Sequence, residues 1–219
     1  MIFKLKGYVL NSNIYLVLDE EKSVLIDCGG KAYARKILDN IKSILGKRKL
    51  DYVILTHRHY DHVGALYEIN EVYRPRIIVH KEDYPLVRDN TDEFLGDSLY
   101  NSQLNNPNFL VLEESEKIIP LGNRHKLRII HTPGHTSGSI SCFDEKTGAL
   151  FTGDLLFLHG VVGRWDFPSG DFNMLVNSIK LISTLDVKAM YPGHGECCEK
   201  NAKKHVELAL ETLRSLISE

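Results

Sequence analysis

The chain has 219 residues, with 27 Lys and Arg against 29 Asp and Glu and a net charge of -2. That length fits one large domain or two small ones, and 43% hydrophobic residues can fill a sizeable core. The near-neutral balance gives no bulk attraction to nucleic acid or to an anionic membrane, so neither is an expected partner.

The N-terminal apolar stretches are broken by Lys4, Lys6, Asn11 and Asp19. Nothing there resembles a signal peptide or a membrane span, which leaves the cytoplasm as the expected compartment. Cys28, Cys142, Cys197 and Cys198 form no C-x-x-C pair and are read as reduced thiols, mostly packing.

In chain order, residues 3–10, 13–18 and 23–26 read as short strands separated by turns. Cys28-Gly29-Gly30 then opens a helix over 31–45, where Ala34, Ile37, Leu38, Ile41, Ile44 and Leu45 recur at helical spacing. A strand over 51–56 runs into a His-rich loop, followed by a helix over 61–72 and a strand over 76–79. The stretch 81–108 reads as a short helix and a long polar loop. Strands return at 109–112, 126–131, 139–143 and 149–152. A helix over 171–183 has Asp171 as its N-cap, a strand spans 187–191, and a long helix covers 199–217. Mixed strands and helices give an α/β or α+β class, with sheet covered by helices.

Ten histidines are unevenly spread, and Thr56-His57-Arg58-His59-Tyr60-Asp61-His62 gathers three of them beside an Asp. Neutral imidazole and carboxylate suit zinc, iron and similar ions. His57 and His59, two apart on a chain leaving a strand, point the same way and can grip one ion. Asp61 and His62 begin the next helix and are expected to point elsewhere, toward a second ion. Three further turns carry ligand types: His135 in Thr132-Pro133-Gly134-His135-Thr136, Asp154 in Phe151-Thr152-Gly153-Asp154, and His194 in Tyr191-Pro192-Gly193-His194-Gly195.

Together these residues resemble the signature of the metallo-β-lactamase-fold hydrolases, over nearly the whole chain from Ile26-Asp27-Cys28-Gly29 onward. The resemblance implies one domain over 1–219 with a four-layer αβ/βα sandwich, a fold of the α/β class. It also implies that His57, His59 and His135 hold a first metal, that Asp61, His62 and His194 hold a second, and that Asp154 bridges both. Two divalent ions bring +4, against -3 from Asp61, Asp154 and a bridging hydroxide, which leaves positive charge to polarise a substrate carbonyl. Zinc is the expected metal, with iron or manganese as alternatives, and Asp61 is also placed to orient the hydroxide. Asp27 is either a partner of a ligand histidine or an ordinary capping carboxylate. His80 either faces the site or is structural, and His131 is read as packing.

Gly163-Arg164-Trp165-Asp166-Phe167-Pro168 resembles a loop of the glyoxalase II-like branch and of the related persulfide dioxygenases. It either lines a pocket or is a rigid loop in which Arg164 pairs with Asp166. β-Lactamases usually carry a signal peptide, nucleases of this fold a further domain or basic arm, and di-iron flavoproteins a flavin domain. Glyoxalase II proper adds a helical glutathione-binding domain, whereas 25 residues, about one helix, follow His194, so glutathione specificity does not carry over. The expectation is a compact glyoxalase II-like hydrolase of a small thioester or ester. The alternatives are a mononuclear iron persulfide dioxygenase using His57, His135 and Asp154, a lactonase or phosphodiesterase of the same fold, and a metal-storing scaffold. No substrate-binding residue is identified.

Overall fold

The computed structural model describes residues 1–5, 11–89, 104–122 and 125–217, with side chains to 215. The chain divides into two compact units, Met1–Glu113 with Leu121–Asn123, and Glu114–Pro120 with Arg124–Glu219.

The first unit carries six strands, β1 (Ile2–Lys4), β2 (Tyr15–Leu18), β3 (Ser23–Ile26), β4 (Tyr52–Ile54), β5 (Arg76–His80) and β6 (Asn108–Leu112), lying side by side in chain order. β1, β2 and β3 pair antiparallel, and β3 to β6 pair parallel. Parallel neighbours need long crossovers. Helix α1 (Ala34–Leu45) supplies the first, and α2 (Tyr60–Val63) with α3 (Leu66–Tyr73) supplies the second. α1 buries Ala34, Ile37, Ile41 and Leu45, one face at helical spacing, in a cluster with Leu25, Val53, Leu55 and Ile77. Each large side chain buried in this way contributes about 1.5–3 kcal/mol.

The helix expected over 61–72 is two helices, broken at Gly64 and Ala65. The Ala65 amide donates to the Gly29 carbonyl (2.8 Å) and the Asp61 carbonyl accepts from the Ser12 amide (3.3 Å). Tertiary hydrogen bonds thus take up groups that one continuous helix would pair internally. A short helix, α4 (Tyr84–Asp89), follows β5, as read from 81–108. Residues 6–10 of the first expected strand, and most of the expected polar loop, lie outside the described residues.

The second unit carries most of β7 (Glu116–Gly122) and all of β8 (His125–His131), β9 (Ile140–Asp144), β10 (Ala149–Gly153) and β11 (Ala189–Pro192), in a sheet of order β11-β10-β9-β8-β7. β8, β9 and β10 are antiparallel neighbours, while β10 and β11 are parallel, joined through α5 (Phe172–Ser183). β7 is an addition to the elements read from sequence. It lies at the end of the sheet order and contains Pro120, which suits an edge. α5 and the last helix, α6 (Lys203–Ile217), bury Leu175, Ile179, Ile182, Val206, Ala209 and Leu213 in one cluster with Leu150 and Met190. α6 starts later than expected because Cys198 is held in an antiparallel bridge to Met190, with N–H···O distances of 2.7 and 2.9 Å. No helix among the described residues is long and apolar enough to cross a membrane.

Asp171 is the N-cap of α5, its Oδ1 accepting from the Met174 amide at 2.8 Å. Its own amide donates to the Gly134 carbonyl (2.9 Å), which ties the helix start to the turn before His135. Asp171→Ala is expected to lower unfolding free energy by about 1 kcal/mol in a urea titration, with Asp171→Asn keeping most of it.

Candidate metal centre

In the first unit the ligand-type residues follow β4, past the carboxyl end of a parallel strand, the usual place for sites in such sheets. Asp27 follows the neighbouring strand β3. Its backbone is left-handed (φ 61°), a conformation that Asp tolerates better than most residues. After that turn, the amides of Cys28 and Gly29 both donate to the His62 carbonyl, at 2.7 and 3.2 Å.

The Asp27 carboxylate is buried and organises the loop. Its Oδ1 accepts the Thr56 amide (2.8 Å), and its Oδ2 accepts both the Thr56 hydroxyl (2.8 Å) and the His62 Nδ1–H (2.8 Å). With its proton given to Asp27, the Thr56 Oγ1 accepts from His57 Nδ1–H at 3.1 Å. Both imidazoles are therefore fixed in the tautomer that leaves Nε2 as the lone-pair nitrogen, the form a metal ligand needs. The resemblance left Asp27 as a histidine partner or a capping group, and the structure makes it the histidine partner.

His57, His59 and His62 cluster. The His57 ring centroid lies 4.7 Å from that of His59 and 4.0 Å from that of His62. His62 thus stands beside the first pair rather than remote from it. α2 begins at Tyr60 and turns the chain back, so that His62 returns beside His57. Asp61 Oδ2 stands 3.6 Å from His62 Nε2, and the Asp61 side chain is about a third exposed.

Arg58, between the first two histidines, goes the other way. Its guanidinium donates to Asp83 Oδ1 (2.9 Å) and its amide to Asp83 Oδ2 (2.9 Å), and both side chains are buried. One carboxylate thereby clamps side chain and backbone of the His-x-His segment. His80, at the end of β5, is buried with its Nδ1 turned to the Glu82 amide (3.4 Å), a local turn contact.

In the second unit, His135, Asp154 and His194 follow β8, β10 and β11. Asp154 Oδ2 lies 3.7 Å from His135 Nε2 and 3.5 Å from His194 Nε2. These separations, like that of Asp61 from His62, are long for hydrogen bonds. They match the roughly 3.4 Å between two ligands each about 2.0–2.1 Å from a tetrahedral ion. His135 Nδ1–H donates to the Arg164 carbonyl (2.7 Å), so its Nε2 too carries the lone pair, and its ring meets Phe167 edge-on. His131, read as packing, donates to the Ser137 carbonyl (2.9 Å).

Two glycines set the backbone here. A Cβ at Gly134 (φ 139°) would overlap the backbone of Leu175 in α5, and one at Gly163 would overlap the Asp154 carbonyl. The His135 turn and the Asp154 turn can thus sit against their supports only where a side chain is missing. Arg164 forms a bidentate pair with Asp166 (2.9 and 2.7 Å), and its guanidinium lies 4.4 Å from the Phe167 ring centroid. The shared hydrogen bonds hold the Asp166 carboxyl below its ordinary range. This is the rigid-loop alternative of the sequence reading.

Four of the seven predicted ligands thus gather in the first unit and three in the second. Sequence reasoning missed Thr56, Asp83 and the Arg164 carbonyl. Thr56 had a signal, its place just before the motif, whereas Asp83 had none.

The chain matches the family model of the metallo-beta-lactamase superfamily over residues 7–194. It is 39% identical to a probable metallo-hydrolase of Methanocaldococcus jannaschii, covering 95% of this chain and 99% of that protein. It is 32% identical to the hydroxyacylglutathione hydrolase GloC of Haemophilus influenzae, covering 84% and 85% of the two chains. Among solved structures it is similar to a protein crystallised in a di-iron-bound form, with a TM-score of 0.70, 28% identity and 96% of each chain covered.

Asp83→Ala would leave the Arg58 guanidinium buried without its carboxylate. Equilibrium unfolding is expected to show a loss of about 3–5 kcal/mol, the scale of breaking a buried ion pair on one side.

Proposed function

Since the chain belongs to the metallo-β-lactamase superfamily and has that superfamily's α/β fold, we propose that it is a hydrolase of small thioesters or esters that works with two divalent metal ions. The ligand assignment proposed is His57, His59 and His135 for one ion, Asp61, His62 and His194 for the other, and Asp154 shared, with residues 1–219 acting as one functional domain. Zinc is the metal proposed, and a small-molecule substrate the partner, with neither nucleic acid nor membrane expected. When bound, such ions supply hydroxide near neutral pH and a positive field for charge developing on a carbonyl oxygen.

The observation that carries the reading is the matched tautomer of His57, His62 and His135. Each gives its Nδ1–H to a fixed acceptor and keeps Nε2 for a metal. The donor set of imidazoles and carboxylates fits zinc or iron equally. The Asp61 carboxylate, partly open to solvent, can accept a hydrogen bond from an attacking water while its other oxygen faces His62. Thioester chemistry, rather than another hydrolysis, is favoured by the likeness to a relative named as a hydroxyacylglutathione hydrolase.

The test is elemental analysis of the purified protein followed by a screen of thioesters, lactones, phosphodiesters and persulfides. Two metals per chain and thioester hydrolysis are expected. One iron, oxygen uptake with a persulfide and no thioesterase activity would replace this reading with the dioxygenase one.

Two sets of variants sharpen it. Asp154→Ala is expected to lose more metal than any other single ligand change, and Asp61→Asn to cut turnover by about two orders of magnitude. Asp27→Ala, which touches no metal in this assignment, is expected to weaken metal binding by about 10- to 100-fold, read by competition with a chelator.

A further inference from the structure

Beside His194 the second unit holds a cavity of about 430 Å³, lined by Phe157, Leu158, His159, Val161, His194, Gly195 and Glu196. That volume lies within the range of small-molecule sites. Its walls are mainly apolar. Val161, 56% exposed, borders this cavity. The Phe157 ring lies 6.4 Å from the His194 ring, and a side chain at Gly195 would meet nothing within 4 Å, so the floor beside His194 is open.

The wall is preformed. The Phe157 amide donates to the Val161 carbonyl (2.7 Å), and Leu156 pairs with Val162 across the base of the loop. The loop is also clipped to α6. The His159 amide donates to the Nδ1 of the buried His205 (3.0 Å), and a Cβ at Gly160 would collide with Leu208. Burial holds the His205 imidazole below its ordinary pKa, which keeps that nitrogen available as an acceptor. A wall built and anchored in this way need not be ordered at the moment of binding, which lowers the cost of association.

Among the lining residues, Glu196 has the one permanent charge. It repels a second carboxylate and offers no partner to one. We propose that this cavity receives the acyl chain of the substrate and selects an uncharged aliphatic chain over a short or carboxylate-ended one. The inference rests on the thioester reading above, and it goes further in naming which side of the thioester is recognised and by what.

The experiment compares acetyl, hexanoyl and succinyl thioesters of N-acetylcysteamine with the metal-loaded protein, for wild type and Val161→Asp. In parallel, the S-hexyl and S-ethyl thioethers of N-acetylcysteamine, which cannot be hydrolysed, are titrated calorimetrically into metal-free protein. Expected is a kcat/KM at least about tenfold higher for hexanoyl than for acetyl, with succinyl lowest. The hexyl thioether should bind more tightly than the ethyl one, and Val161→Asp should abolish both preferences with metal content unchanged. Hydrolysis of all three esters at equal kcat/KM, or equal binding of the two thioethers, overturns the pocket while leaving the thioester reading in place. If no thioester is hydrolysed, that reading falls instead, and the thioether titration alone upholds or overturns the pocket.

Discussion

A carboxylate taken out of water must find hydrogen-bond donors, and Asp27 finds three, the Thr56 amide, the Thr56 hydroxyl and the His62 imidazole. The consequence travels outward by donor and acceptor logic. Thr56 has one hydroxyl proton, and since Asp27 takes it, the oxygen can only accept from His57. One carboxylate so decides the tautomer of two histidines. The same residue turns the backbone through a left-handed conformation, and the next two amides then grip the carbonyl of His62. Side chain and main chain of His62 are both held by a three-residue segment at the end of β3. The turn costs of order 1 kcal/mol or more in backbone strain, offset by these hydrogen bonds.

The second unit reaches the same end by other means. His135 has its Nδ1–H taken by a backbone carbonyl rather than a carboxylate, and Gly134 and Gly163 let two turns press against neighbouring backbone. Rigidity comes from close approach in one unit and from a buried polar network in the other. In both, the ligand-type residues stand just past strand ends, where the chain has left the sheet ladder and side chains can be aimed independently of it.

The parts of this structure legible in the sequence were those with a local signature. Apolar spacing marked α1, the Asp171 cap marked the start of α5, and the density of His and Asp after a strand marked a cluster of ligand-type residues. The break at Gly64 was not legible, because it depends on the Gly29 carbonyl and the Ser12 amide, remote in sequence. β7 was hidden by its edge position, where Glu116, Lys117 and Pro120 are tolerated and no alternating apolar pattern is required. Asp83 was hidden for a different reason. A buried ion pair has no period and no motif, and a lone Asp in Lys81-Glu82-Asp83 reads as solvated until Arg58 is seen beside it.

Arg164 shows how a recognisable motif can act through atoms its side chain does not advertise. The guanidinium is neutralised by Asp166 and stacked on Phe167, so its charge is largely spent within the loop. What the loop gives His135 is the Arg164 carbonyl, an atom any residue could provide in the same backbone conformation. The side-chain pairing and the Phe167 stack matter because they hold that conformation, with Gly163 against Asp154 at one end and Phe167 against His135 at the other. The motif therefore couples the positions of His135 and Asp154 through one short stretch of backbone. A substitution at Arg164 should act on the site only to the extent that it loosens that stretch, whereas bulk at Gly163 acts on Asp154 directly.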